Sequence, residues 1–324
     1  MYQQVNQYLE KALPFLIPAV LLLGITVLSG AQVLSDWVKW IFAFISFSSC
    51  LRLNLQQMKE AFLRPLPLIT AMVLLQVVMP AAAYGAGVLL FMDDILVITG
   101  LVLAFSIPTG VITIMWSGIF GGNTGLTVAV VIINTLVSPL LVPSILGIFV
   151  GTDVAMDVPG IMLGLLWMVV VPSAAAVLFN RMNEKRARQA GAAAAPFSKI
   201  GVLFVILINS AVTAPYFQTM SMRLIFLFFV VFLLACAAYG LGFWSARLFG
   251  WTRATAVSLM YNTGMRNTGV GAAIAVTYFP PAAALPVVLA VIFQQFLAAS
   301  AGRLVGRNNK DADGSGIRLQ QPEP

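Results

Sequence analysis

The sequence predicts an all-α membrane protein with ten transmembrane helices, and three observations carry that expectation. First, only 9% of the 324 residues are charged while 60% are hydrophobic. A soluble domain carries roughly 25% charged residues, so this chain cannot coat a water-facing surface. Second, ten apolar runs approach the ~20 residues a spanning helix needs. They fall at 13–30, 37–53, 66–90, 95–119, 124–150, 158–180, 200–216, 223–247, 254–278 and 282–302. Third, the basic residues between the runs lie almost entirely on one side.

With the N-terminus inside, the inner basic residues are Lys11; Arg52, Lys59 and Arg64; Arg181, Lys185, Arg186, Arg188 and Lys199; Arg247 and Arg253; and Arg303, Arg307, Lys310 and Arg318. That makes fifteen, against Lys39 and Arg223 outside, with Arg266 inside a span. The acids Asp36, Asp93, Asp94, Asp153 and Asp157 all fall outside. This bias places both termini in the cytoplasm of a bacterial inner membrane. An odd number of spans would put the Arg303–Lys310 cluster on the wrong side. The first run is too long, and flanked by too little charge, for a cleaved leader.

Domain organisation follows from the same reading. Residues 1–180 hold a first repeat, spans one to five, and span six. Residues 181–199 form a basic, Ala-rich cytoplasmic loop, and 200–303 hold the remaining spans. Residues 304–324 are polar and expected to be disordered.

Composition also excludes function classes. The chain has no histidine, which removes Ser-His-Asp and Cys-His catalysis, HExxH zinc sites and histidine proton relays. Cys50 and Cys236 lie in apolar stretches and form no metal spacing. No pair of acids lies within the spans, so an aspartyl intramembrane enzyme is excluded as well, and proton coupling lacks a carrier. The +7 net charge is spread over short loops and does not form a nucleic-acid surface. The expected surroundings are a lipid bilayer and a small solute, with no cofactor. Oligomeric state is not readable.

An internal repeat is visible. Ala82-Ala83-Tyr84-Gly85-Ala86-Gly87 recurs as Ala237-Ala238-Tyr239-Gly240-Leu241-Gly242. A helix-breaking patch follows each tyrosine by about 24 residues. The first is Ser106-Ile-Pro108-Thr109-Gly110; the second runs from Asn262 to Gly269. Spans three and eight run in opposite directions, so the repeat is inverted. In many secondary transporters the solute binds where such interrupted helices meet.

Arg266 is the only charge placed within a span, where a central arginine costs roughly 2.5–3.5 kcal/mol. Two readings of it stay open. It is a fixed cation facing a substrate anion or replacing a coupling cation, or it bonds exposed carbonyls and holds the half-helices together. Asn262, Asn267 and Thr268 flank it. Pro108, Thr109, Gly110 and Thr113 mark the other break. Gln76, Gln294 and Gln295 add amides at membrane depth.

These residues resemble the bile acid:sodium symporter family in its bacterial branch. The resemblance covers spans three to ten. Gln76-Val-Val-Met-Pro80 is similar to the end of that family's third helix. Pro108-Thr-Gly110 through Gly122-Asn123 resembles its Pro-Gly-Gly break and the turn before its fifth helix. Asn134-Thr-Leu-Val-Ser-Pro-Leu-Leu-Val-Pro143 resembles its Ser-Thr-Leu-Thr-Ser-Pro-Leu-Leu-Thr-Pro segment. Gly264-Met-Arg266-Asn-Thr-Gly269 resembles its Gly-Met-Gln-Asn-Ser-Gly signature. The resemblance implies two inverted five-helix repeats and a core domain with two crossing broken helices, spans four and nine. A panel domain packs against that core, with a substrate cavity between them.

The departures fall on the family's sodium sites. Asn262 stands where the family has a glutamate, and Arg266 where it has a glutamine ligand. Thr113-Ile114 replaces a Ser-Asn pair. Thr127 and Val131 occupy the fifth-helix ligand positions, and Gln76 is retained. The expectation is a secondary transporter of a small organic anion, working by alternating access, with sodium coupling weakened or absent. The alternatives are a conventional sodium-coupled symporter and a non-transporting sensor or channel-like relative.

Overall fold

The computed structural model describes residues 2–51, 53, 65–92, 94–151, 154, 156–218 and 221–313. Arg52, Lys59, Arg64, Asp93, Asp153 and Arg318, used above to orient the chain, lie outside the described residues. The described residues are almost wholly helical, and two residues pair across an isolated β-bridge.

Among the described residues, twelve α-helices follow in order: α1 (Tyr2–Thr26), α2 (Ser35–Cys50), α3 (Pro65–Leu90), α4 (Ile95–Ser106), α5 (Ile112–Ile119), α6 (Thr124–Phe149), α7 (Val158–Met182), α8 (Glu184–Gln218), α9 (Met222–Leu248), α10 (Arg253–Gly264), α11 (Thr268–Tyr278) and α12 (Pro281–Asp313). Among the described residues, six helices are long and apolar enough to cross a membrane alone: α3, α6, α7, α8, α9 and α12. The other four expected spans bend or break. Expected spans one and two fall on α1 and α2; Phe15–Thr26 of α1 meets Ser29–Cys50, a 3-10 turn running into α2, at 101°. Expected spans four and nine are the pairs α4–α5 and α10–α11.

Helix starts follow from side-chain caps. The first free N–H groups of a helix need an acceptor. Asp94 supplies one for α4, Asn123 for α6, Asp157 for α7, Ser221 for α9, Thr252 for α10 and Asn267 for α11. Asp94 and Asp157, expected in loops, are therefore N-caps, and Asp94 also meets Arg223 at 3.3 Å.

Two expectations are corrected. Residues 181–199, expected as a loop, are helical apart from Asn183. Asn183 accepts from the Arg186 N–H at 3.0 Å, Arg188 pairs with Glu184 one turn away, and the alanine-rich stretch has high helix propensity. Once nucleated, each added residue gains a hydrogen bond. The same propagation carries α12 through 304–313, expected to be disordered; 314–324 lie outside the described residues.

The helices pack in two groups. α1, α2, α7 and α8 form one layer, and α3 to α6 with α9 to α12 form the larger body. In the body, α4 is buried on every side from Val97 to Ser106, as its uniformly apolar sequence requires. α9 instead leaves Phe229, Leu233 and Trp244 exposed, a face suited to lipid.

The repeated motif has a packing reason. In each copy the first glycine, Gly85 or Gly240, has nothing within 4 Å of where a Cβ would stand. The second glycine presses on the broken helix that follows. A Cβ on Gly87 would stand 3.2 Å from the Ile98 side chain of α4, and one on Gly242 would meet the Leu259 carbonyl of α10. Gly242→Ala should therefore lower unfolding stability by about 1–3 kcal/mol through overpacking. Gly240→Ala should raise it by up to about 1 kcal/mol, the helix cost of glycine. Thermal unfolding of the two purified variants in detergent checks the contrast.

Candidate functional site

Pro108 ends α4. It lacks an N–H and pushes the preceding residue out of helical geometry, and Ile107 is extended at φ −58°, ψ 148°. Across from it, α10 ends at Gly264 and Met265 is extended at φ −108°, ψ 115°. The two extended breaks cross and pair. Thr109 and Arg266 form an antiparallel bridge, and the Asn267 N–H donates to the Pro108 carbonyl at 2.8 Å. The Thr109 hydroxyl donates to the Met265 carbonyl at 2.7 Å. Gly110 sits where this crossing is closest, 3.6 Å from the Arg266 carbonyl at its Cβ position.

Arg266 is 4% exposed and its guanidinium faces carbonyls. One of these is created by α3. A π-turn over Leu74–Val78 moves the Met79 N–H onto the Leu74 carbonyl. In that register the next donor, owed to the Leu75 carbonyl, would come from Pro80, which has none. Arg266 supplies what is missing: Nη1 and Nη2 both donate to the Leu75 carbonyl at 3.1 Å. Nη1 also donates to the Ile107 carbonyl at 3.2 Å. The guanidinium thus pins the first break to the middle of α3. These contacts are those of the carbonyl-bonding reading, and Arg266 also lines the cavity between the body and the four-helix layer, as the other reading expects.

Gln294 and Gln295 clamp the crossing from α12. Gln294 Nε2 donates to the Arg266 carbonyl at 2.8 Å, and its Oε1 accepts from the Thr268 hydroxyl at 2.7 Å. Gln295 Oε1 accepts from the Trp116 indole at 3.2 Å, which holds α5. Pro108, Thr109, Gly110, Arg266, Asn267, Thr268, Gln294 and Gln295 therefore converge.

The remaining expected residues do not form one cluster. Thr113 pairs with Thr109 at 3.2 Å. Thr127 pairs with Ser117 at 2.9 Å, Ser117 with Ser258 at 3.2 Å, and both Thr127 and Ser258 donate to the Asn123 carbonyl. Asn262 Nδ2 donates to the Ser258 carbonyl at 2.9 Å, and Gln76 Nε2 donates to Asn134 Oδ1 at 3.0 Å. The Asn262 Oδ1, Gln76 Oε1, Thr263 Oγ1 and Arg266 Nε atoms are buried without a partner. Sequence reasoning missed Ser117 and Ser258, which looked like ordinary helix residues. It also missed the role of Pro80, whose signal was a proline mid-span.

A cavity of about 680 Å³ lies between the body and the four-helix layer. Its body side carries Thr109, Gly110, Asn267, Thr268, Gln294 and Gln295; its layer side carries Ser46 and Ser49 of α2, Ser173 of α7, and Ser198 and Lys199 of α8. No Asp or Glu is among the described lining residues. The first turns of α5 and α11 open onto it, so it meets the positive ends of two helix dipoles.

Residues 40–220 match the Sodium Bile acid symporter family. The chain belongs to that family. It is 41% identical over 299 residues to the uncharacterized protein YbaS of Bacillus subtilis, covering 91% of this chain and 97% of that protein. It is 26% identical over 253 residues to the uncharacterized sodium-dependent transporter YocS of the same organism, covering 78% of each. Over 195 residues it is 24% identical to the probable sodium/metabolite cotransporter BASS2, chloroplastic, of Oryza sativa subsp. japonica, covering 60% of this chain and 46% of that protein. As a member of the sodium bile acid symporter family the chain is a multi-pass secondary transporter and not an enzyme.

The guanidinium geometry makes a prediction. Arg266→Met strands the Leu75 and Ile107 carbonyls, each an unmet buried acceptor costing about 1–3 kcal/mol. Stability should fall by about 3 kcal/mol. Arg266→Lys should recover only part of it, because an ammonium lacks the planar fork that spans two carbonyls. Denaturant unfolding of the three proteins checks this.

Proposed function

We propose that this transporter carries a small organic anion by alternating access and does not require sodium. The observation that carries the anion reading is the cavity. Two half-helix N-termini open onto it, Lys199 adds an ammonium, and its described lining holds no acid. A carboxylate there gains from oriented N–H groups and meets no like charge. In this reading the chain spans the bilayer ten times in two inverted repeats, with both termini cytoplasmic. The layer of α1, α2, α7 and α8 is the panel and the larger body is the core. The repeated glycine packing on α4 and α10 supports that symmetry.

The sodium part of the reading rests on the donor set. Sodium wants oxygens that are not already committed, and a carboxylate to balance its charge. Asn262 supplies no charge, and Ile114 and Val131 supply no oxygen. The Thr127 hydroxyl is engaged with Ser117 and Asn123. A guanidinium already holds the Leu75 and Ile107 carbonyls. A second cation about 4 Å from it would cost about 4 kcal/mol before screening. The Gln76, Asn262 and Thr263 side-chain oxygens are uncommitted but carry no charge to balance sodium, and Arg266 is read as a tethered cation in its place. The likeness to YocS of Bacillus subtilis, an uncharacterized sodium-dependent transporter, favours a second reading, conventional sodium coupling.

A thermal-unfolding titration separates the two readings. With sodium, potassium and choline compared at equal ionic strength, no sodium-specific rise is expected for the native chain. The double variant Asn262→Glu/Arg266→Gln should gain one, of about 2.7 kcal/mol at a hundredfold excess over Kd. A sodium-specific rise in the native chain would sink the sodium-independent reading.

A further inference from the structure

We infer that Tyr278 of α11 and Asn209 of α8 set the balance of a gate on the far side of the cavity: the tyrosine latches it shut, and the asparagine favours its opening. This rests on the alternating-access and orientation readings above and adds the device that biases them.

The two half-helices that leave the crossing are treated differently. α5 exposes Met115 and Ile119, and both line the cavity. α11, the corresponding half-helix of the second repeat, is buried from Val270 to Ala275 and packs against α2, α7 and α8 of the panel. The boundary is thus open along one half-helix and shut along the other. Two contacts shut it. A Cβ on Gly269 would stand 2.5 Å from the Phe42 ring of α2, so that approach requires glycine. At the other end of α11 the Tyr278 ring enters a slot on α7. A Cβ on Gly160 would stand 2.9 Å from that ring, and one on Gly164 would stand 2.6 Å from its hydroxyl oxygen.

Between these contacts lies a second void of about 10 Å³. It shares Ile206, Gly269 and Val291 with the main cavity, and Asn209 lines it as well. Asn209 is 3% exposed and its Oδ1 has no partner. The void is at the lower limit for one water, which needs two or more polar partners. The neighbouring Ser210 hydroxyl is already spent on the Ile206 carbonyl at 2.6 Å. An amide oxygen buried unmet penalises the shut state, and water relieves it once α11 draws away from α8. The Tyr278 ring opposes this, since its contact with α7 exists only while the boundary is shut.

The test reads thiol accessibility in the full-length chain with Cys50 and Cys236 both replaced by alanine. Val288→Cys places a thiol beside the small void, and Ser49→Cys places one in the main cavity. A membrane-impermeant maleimide is applied from outside to intact cells and from the cytoplasmic side to inverted vesicles. Tyr278→Ala should speed external labelling at position 288 about tenfold, the effect of losing one packed ring. Gly164→Ala should do the same from the panel side, because its methyl fills the slot. Alanine is favoured in helices, so α7 persists in that variant. Asn209→Leu should slow the same labelling about tenfold, the effect of removing one unmet hydrogen-bonding group. In neither latch variant should labelling at position 49 rise, whereas general loosening would raise it at both positions. Unchanged labelling at position 288 in both latch variants, or a rise at both positions, overturns the latch. Faster or unchanged labelling in Asn209→Leu overturns the role of Asn209. Labelling of position 288 from the cytoplasmic side and of position 49 from outside overturns the orientation reading and leaves the gate standing. Labelling of both positions from one side alone overturns the gate and the alternating-access reading together.

Discussion

Every carbonyl that leaves a helix at membrane depth has to find a donor inside the protein, because the bilayer core offers none. That constraint organises this chain. Breaking two helices at the same level frees backbone groups at Ile107, Pro108, Met265 and Arg266. The structure answers by crossing the breaks so that each serves the other. Thr109 and Asn267 donate to Met265 and Pro108, and Gln294 reaches in for the Arg266 carbonyl. What the pair cannot satisfy by itself falls to the guanidinium.

The packing follows from keeping that crossing fixed. α4 is buried from Val97 to Ser106, and α12 contacts it, α9 and α11. Gly100 lets α4 approach so closely that a Cβ there would meet the Ala283 carbonyl of α12. Trp116, Phe120 and Tyr261 stack at ring separations of 6.0–6.3 Å beside Gly302 of α12, and Tyr261 donates to the Ala298 carbonyl at 2.9 Å. The half-helices are therefore held by aromatic and amide contacts from one long helix. The four-helix layer meets the body largely across the cavity, with far fewer polar ties. Relative motion is cheapest at that boundary.

Much of this was legible in the sequence, and the part that was not has physical reasons. Pro108 and the Asn262–Gly269 run announced both breaks, because a proline or a polar patch in an apolar run has few structural uses. The alanine-rich segment after Asn183 misled, since basic composition was read as a loop although alanine and arginine favour helix. The site was legible as a set of residues but not as contacts. Thr113 and Thr127 look equivalent in sequence, yet one faces Thr109 and the other Ser117. No pattern of side chains could show that the decisive partner of Arg266 is a backbone atom. The Leu75 carbonyl is available only because a π-turn and Pro80 together remove its donors.

A tethered cation differs from a bound ion in one thermodynamic respect. A ligand shifts a conformational equilibrium only through differential affinity for the two states, and a gradient does work only if the ligand leaves. A guanidinium fixed by its own chain can satisfy the same carbonyls at any external salt concentration, but it never dissociates. It can therefore secure the crossing without linking that crossing to a gradient. A chain that relies on it keeps its breaks intact in both orientations, and only the solute distinguishes them. On the proposed sodium-independent reading, the direction of net flux follows the solute's own gradient, including its charge in the membrane potential, and the cavity's chemistry decides which solute that is.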